Sequence, residues 1–313
     1  MNNSEKRFIR NEVGNYMVEL GRKYDNIVII NADLMGTSRN KPFVDEFPNR
    51  SYNVGIAEQN AVSFAAGLAH EGMIPFVFTM APFLSMRACE QVRTDVAYGN
   101  LDVKMIASYS GVSGGISGAT HWAIEDCSIM MGIPNLTVIE PSDANQAKKL
   151  MDRIVGYHGP VYFRTGVEAY TDIYDEASEF EIGKAVRISD GDDGAFICSG
   201  ITVQYAVAAA KRIKSECNKT VRVVDVHTLK PIDKGEIIKS CQTGKIVVAQ
   251  DHSVIGGLGY AVKSVIADAG LSVKIKVLGI PDKFVAMAHA PYLYREFGYD
   301  EEGLFRAMKE LLE

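Results

Sequence analysis

The sequence predicts an α/β protein of two doubly wound domains, each built on a parallel sheet with helices on both faces. Short β-rich apolar runs alternate with amphipathic stretches along the whole chain, the pattern of a parallel sheet with crossover helices. A chain of 313 residues is long enough to bury two ordinary cores. The alternation fails once, between Thr165 and Ile182, where the sequence turns acidic and loses its period, as a connection between domains would. These observations divide the chain into 1–178 and a smaller domain of 179–313.

The elements follow in order. Helix Asn11–Tyr24 leads to strand Ile27–Asn31, a helix opening at Glu58 leads to strand Phe76–Thr79, and helix Ser85–Tyr98 leads to strand Val103–Ala107. Segment Trp122–Met131 reads as a helix, followed by strand Leu136–Ile139, helix Asp143–Val155 and strand Val161–Arg164. The second series is strand Ala195–Cys198, helix Val203–Ser215, strands Val221–Val226 and Lys245–Gln250, helix Leu258–Ala269, strand Val273–Val277 and helix Glu301–Leu312. Open parallel sheets bind ligands beyond the carboxyl ends of their strands. The positions to examine are therefore Asp33, Met80 to Phe83, the loop Tyr109 to His121, and Arg164.

Composition excludes several classes. A net charge of -6 leaves no basic footprint for nucleic acid and no polybasic membrane patch. The most apolar stretch, Val62 to Met86, is broken by His70 and Glu71, and the polar, charged Met1 to Arg10 does not read as a signal peptide. Five scattered cysteines without a C-x-x-C pair point to neither a disulfide framework nor a zinc site. The expectation is a cytoplasmic protein with no nucleic-acid or membrane partner.

Glu58 stands out within Asn53-Val54-Gly55-Ile56-Ala57-Glu58-Gln59-Asn60. It opens an apolar helix in which Ala61, Val62, Ala65, Ala66, Leu68 and Ala69 recur at helical spacing, a costly place for a charge without a partner. One account is a carboxylate satisfied by the free N–H groups of the helix start; the other is a ligand. The loop Ser108 to His121 carries four glycines that let it pass close to a ligand, and it delivers His121 just ahead of the next helix. Histidine suits proton transfer near neutral pH.

The runs GIAEQNAVSFAAGLA, TMAPFLSMRACEQVRTDVAY, GATHWAIED and GIPNLTVIEPSD resemble, in order, the pyrimidine-binding half of the transketolase family of thiamine diphosphate enzymes. The second series, with VDVHTLKPID and QDHSVIGGLG, resembles that family's C-terminal domain, which mainly supports subunit contacts. The resemblance implies that Glu58 hydrogen-bonds the aminopyrimidine and promotes deprotonation of the thiazolium carbon, with Met80 and Phe83 at the ring-lining positions usually held by two phenylalanines, and Asp33 and Ile56 nearby. It places His121 as the proton shuttle, Arg164 and Thr37 at the substrate's phosphate, and Tyr109 and Ser117 around its sugar. Asp33 and Thr37 would equally serve as helix caps, Arg164 as a surface ion-pair partner, and His252 as a turn residue rather than part of the site entrance.

Departures from the family pattern are as informative. Tyr109, Ser117 and Trp122 stand where a histidine, an aspartate and a glutamine are usual, implying a bulkier, less charged substrate pocket. The Gly-Asp-Gly and asparagine pair that hold the metal are missing, since Ser189 to Gly194 reads as a turn. The resemblance thus implies the C-terminal subunit of a split transketolase, transferring a two-carbon ketol unit between phosphorylated sugars. Mg²⁺ (or Ca²⁺) and the diphosphate would be bound mainly by a separate N-terminal subunit, in a heterotetramer. The alternatives are a deoxyxylulose-phosphate synthase-like enzyme, the beta chain of a 2-oxo acid dehydrogenase component, whose usual Thr-Glu and Ala-Gln-His-Ser runs are absent here, and a non-catalytic regulatory paralogue.

Overall fold

The structure is a computed structural model that describes residues 6–284 and 286–313. In chain order its strands are β1 (Lys6–Arg7), β2 (Ile27–Asn31), β3 (Ser51–Asn53), β4 (Ile74–Met80), β5 (Lys104–Ser108), β6 (Thr137–Ile139), β7 (Val161–Arg164) and β8 (Tyr170–Thr171). The second half adds β9 (Val186–Ser189), β10 (Gly194–Cys198), β11 (Val221–Asp225), β12 (Thr228–Lys230), β13 (Lys245–Ser253) and β14 (Lys274–Ile280). Two large sheets result, with orders β12-β6-β7-β5-β4-β2-β3 and β14-β13-β10-β11-β9, parallel except where β12 and β9 join. The two doubly wound domains read from the sequence are present.

Strands β2, β4, β5 and β7 are buried on both faces over nearly their whole length, which is why they read as continuous apolar runs. Their carboxyl ends carry Asn31, Met80, Ser108 and Arg164 to one edge of the sheet, and this edge positions the candidate site.

Three readings needed correction. Strand β12 belongs to the second half of the chain but pairs antiparallel with β6 in the first sheet. Its Leu229 joins a buried cluster with Val138 and Met130, so the first sheet is completed by the second half. Helix Ser85–Tyr98 is not regular: wide π-type turns, Phe83–Arg87 and Val92–Ala97, flank a short α segment, Cys89–Gln91. Trp122 lies outside the helix that begins at Asp126; it is 3% exposed and its Nε1 donates to Gly115 O at 3.0 Å.

The connection Thr165 to Ile182 is held down. Tyr170 and Thr171 pair with Arg7 and Lys6. Asp143, the N-cap of helix Ala144–Val155, accepts from Gln146 N and also from the backbone N–H groups of Ile173 and Tyr174, each at 2.7 Å. The glycine run Gly256 to Gly259 is a packing device: a Cβ on Gly256 would meet Ser128 and one on Gly257 would meet Gln250 and His252.

Candidate active site

Glu58 is the first residue of helix Glu58–His70, preceded by an N-cap, Ala57, that supplies no side-chain cap. The side chain is 1% exposed, and Arg87 Nη1 donates to its Oε2 at 2.7 Å. Arg87 comes from the wide turn that follows β4, and its guanidinium carbon lies 4.3 Å from the centre of the Phe83 ring. Met80, at the end of β4, is buried, whereas Phe83 is half-buried. Ile56 projects from the segment before the helix and is 76% exposed.

The loop after β5 brings His121 to the same place. Its ring meets Phe83 edge-on with centres 5.6 Å apart, and the centre of the Tyr109 ring lies 6.4 Å away. His121 Nδ1 shares a hydrogen bond of 2.8 Å with Thr120 Oγ1, which orients the ring and leaves Nε2 to meet a ligand. Tyr109 has a positive φ of 64°, unusual for a bulky residue. Gly114 makes room for it, since a Cβ there would approach the tyrosine ring to 2.8 Å. Ser117 sits exposed in the turn Gly115–Ser117. Because Trp122 faces inward and ties the loop to itself, it does not bulk out a pocket, contrary to the reading from sequence.

Asp33 is exposed at the end of β2 with φ 59°. It caps nothing: Asn53 Nδ2 donates to Asp33 Oδ1 and accepts at Oδ1 from Asp33 N, each at 3.0 Å. Thr37 lies half-buried inside the short helix Met35–Ser38. These residues share the rim formed by the ends of β2 and β3.

Arg164 is the main correction. It is 0% exposed, and each nitrogen of its guanidinium donates within the protein. Nε and Nη2 donate to Asp126 at 2.8 and 3.1 Å, Nη1 to Glu140, and Nη2 to the carbonyls of Asp251 and Ala123 at 2.7 and 3.2 Å. Every nitrogen of the group is hydrogen-bonded within the protein, and the side chain is closed off from a phosphate in solvent. Asp126 also accepts from Tyr162 OH at 2.8 Å, and Glu140 from Ser199 and Gln250 at 2.7 Å each. Burial pushes the Asp126 carboxyl up, but the charge and hydrogen bonds of Arg164, with help from His252 and the Tyr162 hydroxyl, together hold the group below its ordinary value.

A different cation, missed from sequence, stands at the site. Arg10, on helix Ile9–Lys23, lies over the Tyr109 ring at 5.8 Å. Its buried Nε has no hydrogen-bond partner, and among the described residues neither it nor Arg39 forms a salt bridge. Burial lowers the pKa of Arg10; the Tyr109 hydroxyl opposes the shift, and repulsion from Arg39 adds a little to it. Arg39, left-handed with φ 58° at the end of helix Met35–Ser38, lines a neighbouring hollow of about 580 Å³ with Asn11, Asn15 and the ion pair Lys41–Asp45. Arg10 beside the Tyr109 phenol, with the exposed Arg39 near it, gives this side of the site a positive charge suited to an anion.

The second half of the chain shapes the loop as well. Asp251 accepts from Val112 N at 3.0 Å and from Tyr299 OH at 2.9 Å, and Gly111 must lack a Cβ because one would lie 2.1 Å from the Asp251 carboxyl carbon. His252 is buried with Nδ1 2.8 Å from Ser253 O, and does not line the entrance.

This edge fits the pyrimidine half of a thiamine-type cofactor: a buried carboxylate whose hydrogen-bond partner Arg87 is half-exposed, the half-buried Phe83 ring under that same arginine, and Met80 at the strand end. It does not fit the metal. Among the described residues, Asp126, Cys127 and His252 are grouped closely enough to hold an ion. However, Asp126 is committed to Arg164 and Tyr162, and a thiol and an imidazole are poor ligands for Mg²⁺.

Comparison with known proteins gives the same family for both halves. Residues 6–172 match the model of the transketolase pyrimidine-binding domain, and residues 183–304 match that of the transketolase C-terminal domain. A protein named as a transketolase C-terminal section, from Methanocaldococcus jannaschii, is 41% identical over 304 residues, covering 96% of this chain and 95% of its own. A 6-deoxy-6-sulfo-D-fructose transketolase subunit from a Clostridium species is 37% identical over 310 residues, covering 99% and 96%. A solved split-gene transketolase, described as an inactive beta4 tetramer, superposes with a TM-score of 0.88 at 34% identity over 98% of this chain and 99% of that one. With both domain models matched in order and relatives aligned end to end, this chain belongs to the transketolase family.

Proposed function

We propose that this chain is the pyrimidine-binding component of a split transketolase that moves a two-carbon ketol unit from an anionic ketose to an aldose. A separate N-terminal component would bind the diphosphate and its divalent metal, in a heterotetramer with two copies of each. The observation that carries the reading is Glu58, a carboxylate buried at the head of a helix and facing the same small space as Phe83 and His121.

Thiamine diphosphate, when bound, supplies the carbon nucleophile and electron sink that ketol transfer requires. The chain's own residues do the rest. Glu58 shares a proton at its carboxyl oxygen with the pyrimidine nitrogen that it meets, in a setting from which Met80 and Phe83 exclude water. His121, oriented through Nδ1 by Thr120, gives and takes a proton at Nε2 on the substrate oxygen. Arg10, with Arg39, holds the substrate's anionic end in the role first read for Arg164. Asp33 and Thr37 line the rim. Tyr109 and Ser117 border the sugar with few charged groups, and an unmatched hydroxyl buried against them costs about 1–3 kcal/mol. The preferred donor is therefore an anionic ketose poorer in hydroxyls than the common pentose phosphates. The Clostridium relative, named for a sulfonated ketose, supports an anionic donor that need not be a phosphate ester.

The test is reconstitution. This chain is mixed with its N-terminal component, thiamine diphosphate and Mg²⁺, and a panel of phosphorylated and sulfonated ketoses is assayed. Transfer is expected only from the mixture. Robust transfer by this chain alone would sink the split reading, and xylulose 5-phosphate outpacing all other donors by a wide margin would overturn the substrate class.

A further inference from the structure

We infer that Arg87 is an internal stand-in for the cofactor's aminopyrimidine, occupying both the Glu58 carboxylate and the Phe83 face until the cofactor displaces it. The inference rests on the proposed role of Glu58. In the proposed role the aminopyrimidine meets the carboxylate through one ring nitrogen, while its flat face stacks on an aromatic ring. A guanidinium likewise offers a nitrogen to one carboxylate oxygen and a flat face to an aromatic ring. In this chain Arg87 Nη1 holds Glu58 Oε2 at 2.7 Å while the guanidinium lies over the Phe83 ring at 4.3 Å, so one side chain makes both contacts.

The local backbone explains how. Phe83 and Arg87 open and close a wide turn, with Ala88 N donating to Phe83 O at 3.1 Å. Such turns have i→i+5 bonding and often occur at functional sites. The guanidinium thereby folds back onto the ring at the turn's start. The two partners are unequal: the Glu58 side chain is 1% exposed and that of Arg87 46%. The carboxylate is fixed in the protein, whereas the arginine can swing into water where its charge is well solvated. The contact therefore satisfies a buried charge that would otherwise be costly, yet can be opened.

A site that is open only part of the time binds its ligand more weakly by that fraction. If Arg87 closes the site about nine-tenths of the time, removing it tightens binding about tenfold. A purely structural arginine, present only to neutralise Glu58, predicts the reverse, since its loss would leave a buried charge unpaired and disorder the site.

The experiment is calorimetric titration of thiamine diphosphate with Mg²⁺ into the complex with the N-terminal component. Arg87→Met is expected to lower the Kd about tenfold. Arg87→Lys, which keeps the charge but not the planar face, is expected to fall between that variant and wild type. A Kd for Arg87→Met equal to or weaker than wild type overturns the stand-in. The role of Glu58 is tested separately in the Arg87→Met background, where no stand-in competes. There Glu58→Ala should weaken binding, and an unchanged Kd would show that Glu58 does not meet the cofactor, removing the basis of both readings.

Discussion

Replacing Arg164 by methionine separates a structural arginine from a substrate ligand. The guanidinium donates to Asp126, Glu140 and two backbone carbonyls, and all of these groups are buried. Methionine keeps much of the length and none of the donors. Removing one partner of a buried ion pair costs about 3–5 kcal/mol, a large share of the roughly 5–15 kcal/mol that holds a typical protein folded. The loss should also depend on pH. In the wild type burial raises the Asp126 pKa, but the charge and hydrogen bonds of Arg164, with smaller help from His252 and Tyr162, lower it further than burial raises it, so its contribution is present above the ordinary carboxylate value and is lost as pH falls. Without Arg164, burial, the largest cause, prevails over the smaller lowering effects of His252 and Tyr162 and raises that pKa. The variant's deficit should then be larger at pH 8 than at pH 5, where protonation relieves the orphaned carboxyl. Urea denaturation of both proteins at the two pH values measures this. Stability within about 1 kcal/mol of wild type, with a raised KM for the anionic ketose, would refute the reasoning and return Arg164 to the substrate.

Two further outcomes are expected. Arg10→Ala should raise KM for the anionic donor roughly 10- to 100-fold, the equivalent of one charge-assisted hydrogen bond, with little change in cofactor affinity; steady-state kinetics with a separate cofactor titration would expose an effect confined to kcat. Asp225, buried at the end of β11 and hydrogen-bonded by Ser142, Gln146 and Tyr174, is pushed up to about 7 by burial. Its folded pKa lies above the unfolded one, so the stability that it contributes is lost as pH rises from about 4 to about 7. Thermal midpoints of wild type minus Asp225→Asn should fall across that window. The neighbouring His227, held down to about 4 by burial, acts in the opposite sense but cancels in the difference. A flat difference would contradict the assignment.

The two parallel sheets and the position of Glu58 were legible because both rest on local pattern. Apolar runs buried on two faces identify β2, β4 and β5, and a carboxylate at the head of an apolar helix is visible in a dozen residues. Arg164 was misread because an arginine at a strand end looks the same whether it faces a ligand or the interior. What decides is Asp126, 38 positions away, Glu140, 24 away, and Asp251, 87 away. Arg10 was invisible for the same reason. One arginine on an amphipathic helix carries no local signal, and its significance comes from Tyr109 and Arg39, which only the fold brings near. Strand β12 is three residues long and pairs with a sheet whose other strands precede residue 165. The wide turns around Cys89–Gln91 keep an apolar pattern close to that of a helix, so periodicity could not reveal the displacement that turns Arg87 toward Glu58.

The most direct test of the account follows the C2 proton of thiamine diphosphate bound to the complex of this chain with its N-terminal component, timing its exchange with solvent deuterium in wild type and Glu58→Gln. The amide is close in shape to the carboxyl group, so the fold should survive, but it cannot share a proton with the ring as the carboxyl does. Exchange is expected to slow by about a hundredfold or more, the usual scale for a lost acid–base group. Exchange at the wild-type rate would mean that Glu58 is only a structural partner of Arg87, and would contradict the central claim.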